Sequence, residues 1–324
     1  MASTNKNLHN AKKEKDDEYY TILSDIESEL SYYSGHLKDK TILCNCNDSP
    51  QSAFYQYFMR NFEKLHLKKL ITIYPSHKFT YDGTTIMDTY LNNDGDFRKN
   101  EDTLQEADII ITNPPFSLFR EYITQLFKYN KNFLIIGNKN SVKYKEIFPY
   151  IKNNLLWLGY TSPIKFNTPK GETNKLQGLC RWFTNLPVKP KHLPNTNIKF
   201  SNMHYDTYDN LPDIIKINTL KEIPMDYENY MAVPITFLDH YNSNEYEIIE
   251  LLNRYSVLDY FKINEKIKKN HSHCCNVNGN ATFSRIIIKK IPPISGWYHN
   301  YLKQISPQEP NNHNSSCSNN KSKA

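Results

Sequence analysis

Four short apolar runs constrain this chain more than any other feature. They are TILCNC (41–46), KKLITIYP (68–75), ADIIITNPPF (107–116) and NFLIIGN (132–138). Each carries a continuous stretch rich in Ile and Leu, which is how a strand buried on both faces reads. Amphipathic segments stand between them. AFYQYFMRNFEKLHL (53–67) and SLFREYITQLFKY (117–129) read as helices. So does the later part of 17–37, where Ile22, Ile26, Leu30 and Tyr33 recur at helical spacing after an extended entry. VKYKEIFPYI (142–151) predicts a helical stretch that Pro149 interrupts or ends. Strands alternating with helices predict an α/β fold built on a doubly wound, Rossmann-like parallel sheet. NNLLWLGY (153–160) and GLCRWFTNL (178–186) have little helix between them and predict a terminal hairpin on that sheet. Trp182 sits in an alternating strand and reads as core.

A length of 324 residues allows one large domain or two modest ones. Residues 1–16 are charged and read as a flexible N-terminus, followed by the doubly wound domain at 17–186. The texture then changes. LPVKPKHLPNTN reads as a linker that opens a smaller region, 187–303, with short strands, a helix at 244–262 and no βα alternation. Within it, VNGNATFSRIIIKK (277–290) predicts a hairpin turning at Asn278-Gly279. Residues 304–324 read as a disordered polar tail.

Composition excludes several classes. The nine glycines supply neither GxGxxG after a strand nor GxxxxGK[ST], so the common dinucleotide and triphosphate loops are absent. No apolar run approaches the roughly 20 residues of a membrane helix, and MASTNKNLHNAKKEKDDE has no apolar core of a secretory signal. The six cysteines do not form a disulfide framework, which predicts a reduced, cytoplasmic compartment and no membrane partner. His271, His273, Cys274 and Cys275 match no closed zinc pattern, so no metal is expected. The net charge of +6 is mild but uneven: residues 1–165 hold 21 basic and 20 acidic side chains, residues 166–324 hold 19 and 14. A polyanion held mainly by the second half fits this, with Lys268, Lys269, Arg285 and Lys289 as candidate phosphate contacts. A solvated basic helix face would give the same pattern.

The sharpest feature is Asn113-Pro114-Pro115-Phe116, immediately after an apolar strand and before a helix. Open α/β sheets bind ligands at the carboxyl ends of their strands. Two consecutive prolines can neither continue a ladder nor enter a helix interior. The Asn113 carboxamide oxygen and the Pro114 carbonyl can both accept from one exocyclic amine, and Phe116 offers a flat face for a planar base. That is the set needed to hold an extruded nucleobase with its amine aimed at an electrophile.

These four residues resemble motif IV, (D/N/S)PP(Y/F/W), of the amino-group DNA methyltransferases. DEYYT (17–21) is similar to their motif X and GDFR (95–98) to their motif III. With CNCNDSP, NFEKLHLKKLI, FLIIGNKN, KEIFPYIKNNLLWLG, RWFTNL and VPITFLDHYN, the chain resembles the EcoRI-type adenine-N6 DNA methyltransferases over roughly residues 12–292. The resemblance implies S-adenosyl-L-methionine as cofactor, with Tyr19, Tyr20 and Thr21 at its methionine end and Asp96 and Phe97 at its adenine. It implies Asn113, Pro114, Pro115 and Phe116 as the catalytic set around the target adenine. Cys44-Asn45-Cys46-Asn47-Asp48 stands where other methyltransferases carry a glycine-rich loop, so Asn45 and Asp48 are further cofactor candidates. An acid is expected where Asn47 stands. The acid usual at the end of the second strand is missing too: ITIYPS offers Tyr74 and no carboxylate.

The resemblance therefore implies a methyltransferase catalytic domain at 17–186 and a target-recognition, DNA-binding region at 187–303. The activity implied is site-specific methylation of N6 of a flipped-out adenine in double-stranded DNA, by a monomer in a restriction–modification setting. A cognate endonuclease acting on the same site without a stable complex is an open partner. The resemblance leaves two alternatives open, another acceptor or lost catalysis. NPP(Y/F) also serves cytosine N4, RNA adenine or protein glutamine as acceptor, and a DNA-binding homologue that has lost catalysis would retain the fold.

Overall fold

The computed structural model describes residues 20–292 apart from 93–94, 164, 168–172, 176–177, 190, 194–196 and 254–274. The first part contains β1 (Tyr20–Thr21), α1 (Leu23–Leu30), α2 (Ser34–Leu37), β2 (Thr41–Cys44), α3 (Ala53–Asn61), β3 (Lys69–Tyr74), β4 (His77–Tyr81) and β5 (Ile86–Tyr90). It continues through α4 (Glu101–Glu106), β6 (Ile109–Thr112), α5 (Phe119–Lys128), β7 (Asn132–Asn138), α6 (Phe148–Lys152), β8 (Trp157–Leu158), β9 (Lys165–Asn167), β10 (Thr173–Lys175) and β11 (Cys180–Thr184). The second part holds β12 (Thr207–Tyr208), β13 (Leu211–Lys216), β14 (Tyr230–Val233), β15 (Tyr246–Leu252), β16 (Asn276–Val277), β17 (Asn280–Ala281) and β18 (Arg285–Lys290).

Eight strands form the main sheet in the order β5-β4-β3-β2-β6-β7-β11-β8. Its four central strands, β3, β2, β6 and β7, are mutually parallel, and both flanks turn antiparallel. The expected doubly wound α/β sheet is therefore present. Its central strands are apolar throughout because successive side chains enter different cores. Ile109 and Ile111 pack with α1, α3 and Trp182 on one face, while Ile110 packs with Phe119, Tyr122, Ile123 and Leu126 of α5 on the other. Trp182 is fully buried. The expected β8–β11 hairpin closes one flank of the sheet.

Four local expectations need correction. Pro149 lies in the first turn of α6 and starts that helix; at this position proline forfeits no intrahelical hydrogen bond. Residues 246–252, expected inside a helix, form strand β15, and 254–262 lie outside the described residues. The hairpin at Asn278-Gly279 exists, both turn residues having positive φ (51° and 74°) as a type I′ turn requires. It ends at Ala281, however, and β18 pairs instead with β14 and β15. Finally, the antiparallel pair β4–β5 extends the other flank of the sheet, where no strand was expected.

The second part forms a five-stranded sheet, β12-β13-β14-β18-β15. Its Ile215, Met231, Val233, Ile248, Ile286 and Ile288 belong to the same buried cluster as Ile110, Phe119 and Ile135 of the first.

Candidate active site

In the parallel sheet β3 lies on one side of β2 and β6 on the other, so chain direction across the sheet reverses between β2 and β6. The crevice outside the carboxyl ends at such a reversal is where open α/β sheets bind ligands. A cavity of about 530 Å³ lies there, within the range of small-molecule and cofactor sites. Its walls come from the segments after β2 (Asn45, Cys46, Asn47, Asp48), β3 (Tyr74, Pro75) and β6 (Asn113, Pro114, Pro115, Phe116, Leu118). The start of α3 (Ser52, Ala53, Phe54), the turn Gly95-Asp96-Phe97-Arg98 and Thr21 complete it.

The loop after β2 turns without glycine because Asn47 adopts the left-handed conformation (φ 61°). Asn tolerates that region far better than most residues, since its short polar side chain bonds locally. Asp48 then anchors the loop. It is 3% exposed, and its Oδ2 accepts from the Cys46 N–H (3.2 Å) and from the Thr112 hydroxyl (2.7 Å). Its own N–H donates to the Ile73 carbonyl at 2.9 Å. Burial pushes the carboxyl up to about 7, against the opposing hydrogen bonds from Thr112, Cys46 and Ser52. Ser52 also caps α3 by accepting from the Tyr55 N–H at 3.1 Å. Asn45, 3% exposed, accepts a short hydrogen bond from the buried Tyr122 hydroxyl on α5.

Asn113 follows the buried Thr112 at the end of β6. Its Nδ2 donates to Thr21 Oγ1 at 3.3 Å, which orients the carboxamide with Oδ1 as its acceptor. The turn beyond closes tightly, with Leu118 N–H on the Pro115 carbonyl (3.0 Å) and Phe119 N–H on the Phe116 carbonyl (3.4 Å). Phe116 is half-buried against the α1–α3 core. Asp96 caps a short 3₁₀ turn, accepting from the Arg98 N–H at 3.0 Å and from the Arg98 guanidinium at 2.8 Å. Arg98 holds that carboxyl below the usual carboxylate range. Phe97 lines the cavity but is only 5% exposed, with its ring edge-on to Tyr122.

The structure thus gathers Thr21, Asn45, Asp48, Asp96, Phe97 and Asn113 to Phe116 around one cavity. Tyr20 pairs through its backbone with Asn167, and Tyr19 lies outside the described residues. Arg285 and Lys289 lie on β18 in the second sheet and do not line the cavity; Lys289 rests over the Tyr230 ring. Lys268, Lys269, His271, His273 and Cys274 fall outside the described residues. Tyr74, Thr112, Ser52 and Arg98 shape the site without having been given a role in it from the sequence. Thr112 adjoins NPPF, Arg98 closes GDFR and Tyr74 ends the second apolar run, which was the signal available; Ser52 had none beyond its capping chemistry.

The family model described as adenine-specific methyltransferase EcoRI matches residues 7–90 and 76–291. The chain belongs to this family. Among curated relatives, the Type II methyltransferase M.MgeORF184P of Mycoplasma genitalium is 40% identical over 314 residues, covering 87% of this chain and 98% of its own. The Type II methyltransferase M.EcoRI of Escherichia coli is 39% identical over 333 residues, covering 89% and 97%. M.MpnI of Mycoplasma pneumoniae is 36% identical over 316 residues, covering 87% and 98%. No solved structure matches. Membership in the EcoRI methylase family makes the chain an adenine-specific methyltransferase and implies a methyl donor. Among the described residues no helix is long and apolar enough to cross a membrane.

Proposed function

We propose that this protein moves the methyl group of S-adenosyl-L-methionine to N6 of an adenine extruded from a specific duplex DNA site, as the modification arm of a restriction–modification system. The observation that carries this reading is the oriented Asn113 carboxamide, held by Thr21 in the wall of a cavity at the sheet's switch point. The relatives named Type II methyltransferases support DNA as the substrate.

The residues present fit the methyl donor. The cavity has the necessary size, and Phe97, Tyr74 and Phe54 supply aromatic surface for a purine. Asp96 supplies a carboxylate for an exocyclic amine, and Gly95 keeps the wall close, since a Cβ there would meet the Tyr74 carbonyl oxygen at 3.0 Å. Thr21 and Asn45 add polar groups for an amino-acid moiety. When bound, the cofactor supplies a methyl group already electrophilic on a sulfonium. What remains for the protein is placement. Asn113 Oδ1 and the Pro114 carbonyl accept from the adenine amine, favouring the tetrahedral nitrogen whose lone pair attacks. Phe116 stacks on the extruded base. The tie from Thr112 to Asp48 fixes the loop after β2 against the strand that carries Asn113.

In this reading residues 17–186 catalyse and residues 187–303 recognise the target, with Arg285, Lys289, Lys268 and Lys269 meeting phosphates. The enzyme works as a cytoplasmic monomer, since methylating a palindrome one strand at a time needs no two-fold symmetry. A cognate endonuclease reads the same site without forming a stable complex with it. The test is incubation with tritiated S-adenosyl-L-methionine and unmethylated duplex DNA, followed by digestion to nucleosides. Label in N6-methyldeoxyadenosine is expected. Label in N4-methylcytosine, or none in DNA, overturns the acceptor.

A further inference from the structure

The second strand of the sheet ends without the acid that such folds place against a ribose. β3 ends instead on Tyr74, a residue of the cavity wall. The unexpected β4–β5 hairpin supplies what holds it. Asp88 of β5 lies across the hairpin from Phe79, and its Oδ2 accepts from the Tyr74 hydroxyl at 2.9 Å. His77, first residue of β4, places Nδ1 3.0 Å from Asp88 Oδ1 and stacks its ring on Tyr74 at 5.1 Å between centroids and 8° between planes. The phenol is therefore fixed both in plane and in hydroxyl direction. Gly95, next to Asp96, packs directly on the Tyr74 backbone carbonyl, and all three residues line the one cavity.

We propose that Tyr74, positioned by Asp88 and His77, hydrogen-bonds the ribose hydroxyls of the nucleoside part of the methyl donor in place of the missing acid. The inference rests on the reading of this cavity as the cofactor site. A phenol that gives its proton to Asp88 keeps its oxygen lone pairs, so it accepts from a ribose hydroxyl as a carboxylate would. Asp88 and His77 are positioning residues in this arrangement, because each acts through the phenol.

The test measures affinity by calorimetry for S-adenosylhomocysteine and for its 2′-deoxy and 3′-deoxy forms. The wild type is expected to lose about tenfold in affinity when the hydroxyl facing Tyr74 is absent, the value of one modest hydrogen bond. Tyr74→Phe should bind the intact nucleoside about tenfold more weakly and lose that discrimination. Asp88→Asn should lose part of it. Tyr74→Phe or Asp88→Asn protein that keeps the full wild-type ratio overturns the proposal for that residue. Wild-type protein that binds none of the three nucleosides overturns the cofactor site itself, a separate outcome.

Discussion

The Thr112 hydroxyl donates to Asp48 Oδ2 at 2.7 Å, joining the ends of two neighbouring parallel strands. One residue anchors the loop that replaces a glycine-rich turn, and the other immediately precedes Asn113. Thr112→Val removes a hydrogen bond to a buried carboxyl, and its loss should cost about 1.5–3 kcal/mol in urea denaturation. Thr112→Ser should recover most of that. Equal stability of the valine variant and wild type would show that the tie contributes nothing.

Asp48 also predicts a pH dependence. In the unfolded chain it ionises near 3.8, whereas in the fold it stays protonated until about 7. Its folded pKa is raised, so its contribution is complete below about 4 and is lost as pH rises towards 7, at a cost on the order of 4 kcal/mol. Asp48→Asn should therefore gain stability relative to wild type between pH 5 and pH 8. Melting curves of both proteins that shift in parallel over that range would contradict the assignment.

Asn113→Ala should lower the single-turnover methylation rate by about 10²–10³ while cofactor affinity stays within a few-fold, because the lost acceptor acts in the transition state. Thr21→Val should fall between that variant and wild type, and Thr21→Ser near wild type, if Thr21 sets the carboxamide's orientation.

Phe116→Ala should cost about 1–3 kcal/mol of base stacking. Equilibrium binding of duplex DNA with a fluorescent base analogue at the target position would report it as reduced extrusion. Unchanged fluorescence on binding would remove Phe116 from the base pocket.

Glu29 is fully buried, and its carboxylate accepts from the Tyr33 hydroxyl, the Tyr160 and Thr161 N–H groups and the Thr161 hydroxyl, at 2.6–3.0 Å. Removing it leaves the buried Tyr33 hydroxyl and three half-buried donors of Tyr160 and Thr161 without their acceptor. Glu29→Ala should destabilise by about 3–5 kcal/mol, whereas activity per folded molecule, measured below the melting range, should persist.

What could be read in advance follows the physics of burial. β2, β6 and β7 were legible because both parities of each strand are buried, leaving unbroken apolar runs. NPPF was legible because its chemistry is local. β5 was not: all five of its residues are exposed, so nothing selects an apolar pattern. β15 misled for a different reason. Its register shifts between Ile248 and Glu250, so Ile248 and Leu251 face one core while Ile249 and Leu252 face another. That spacing of three imitates a helix. The Thr21–Asn113 contact joins residues 92 apart in sequence, and nothing local to either announces it. The asparagine at 47, where an acid was expected, makes a left-handed turn that few residues other than glycine, Asn and Asp adopt readily.

The apolar cluster common to both sheets also bears on how new specificities arise in such an enzyme. Ile286 and Ile288 on one face of the second sheet sit in one interior with Phe119 and Ile135, while Ile287 on its other face packs in a separate cluster with Ile214, Ile249 and Leu252. Grafting the second sheet from a relative would expose or overfill this common interior unless the facing residues of the first sheet travelled with it. If the second part reads the target, as proposed, retargeting by exchange of whole segments is thereby penalised. Change in surface loops, which leaves the interior untouched, is the open route.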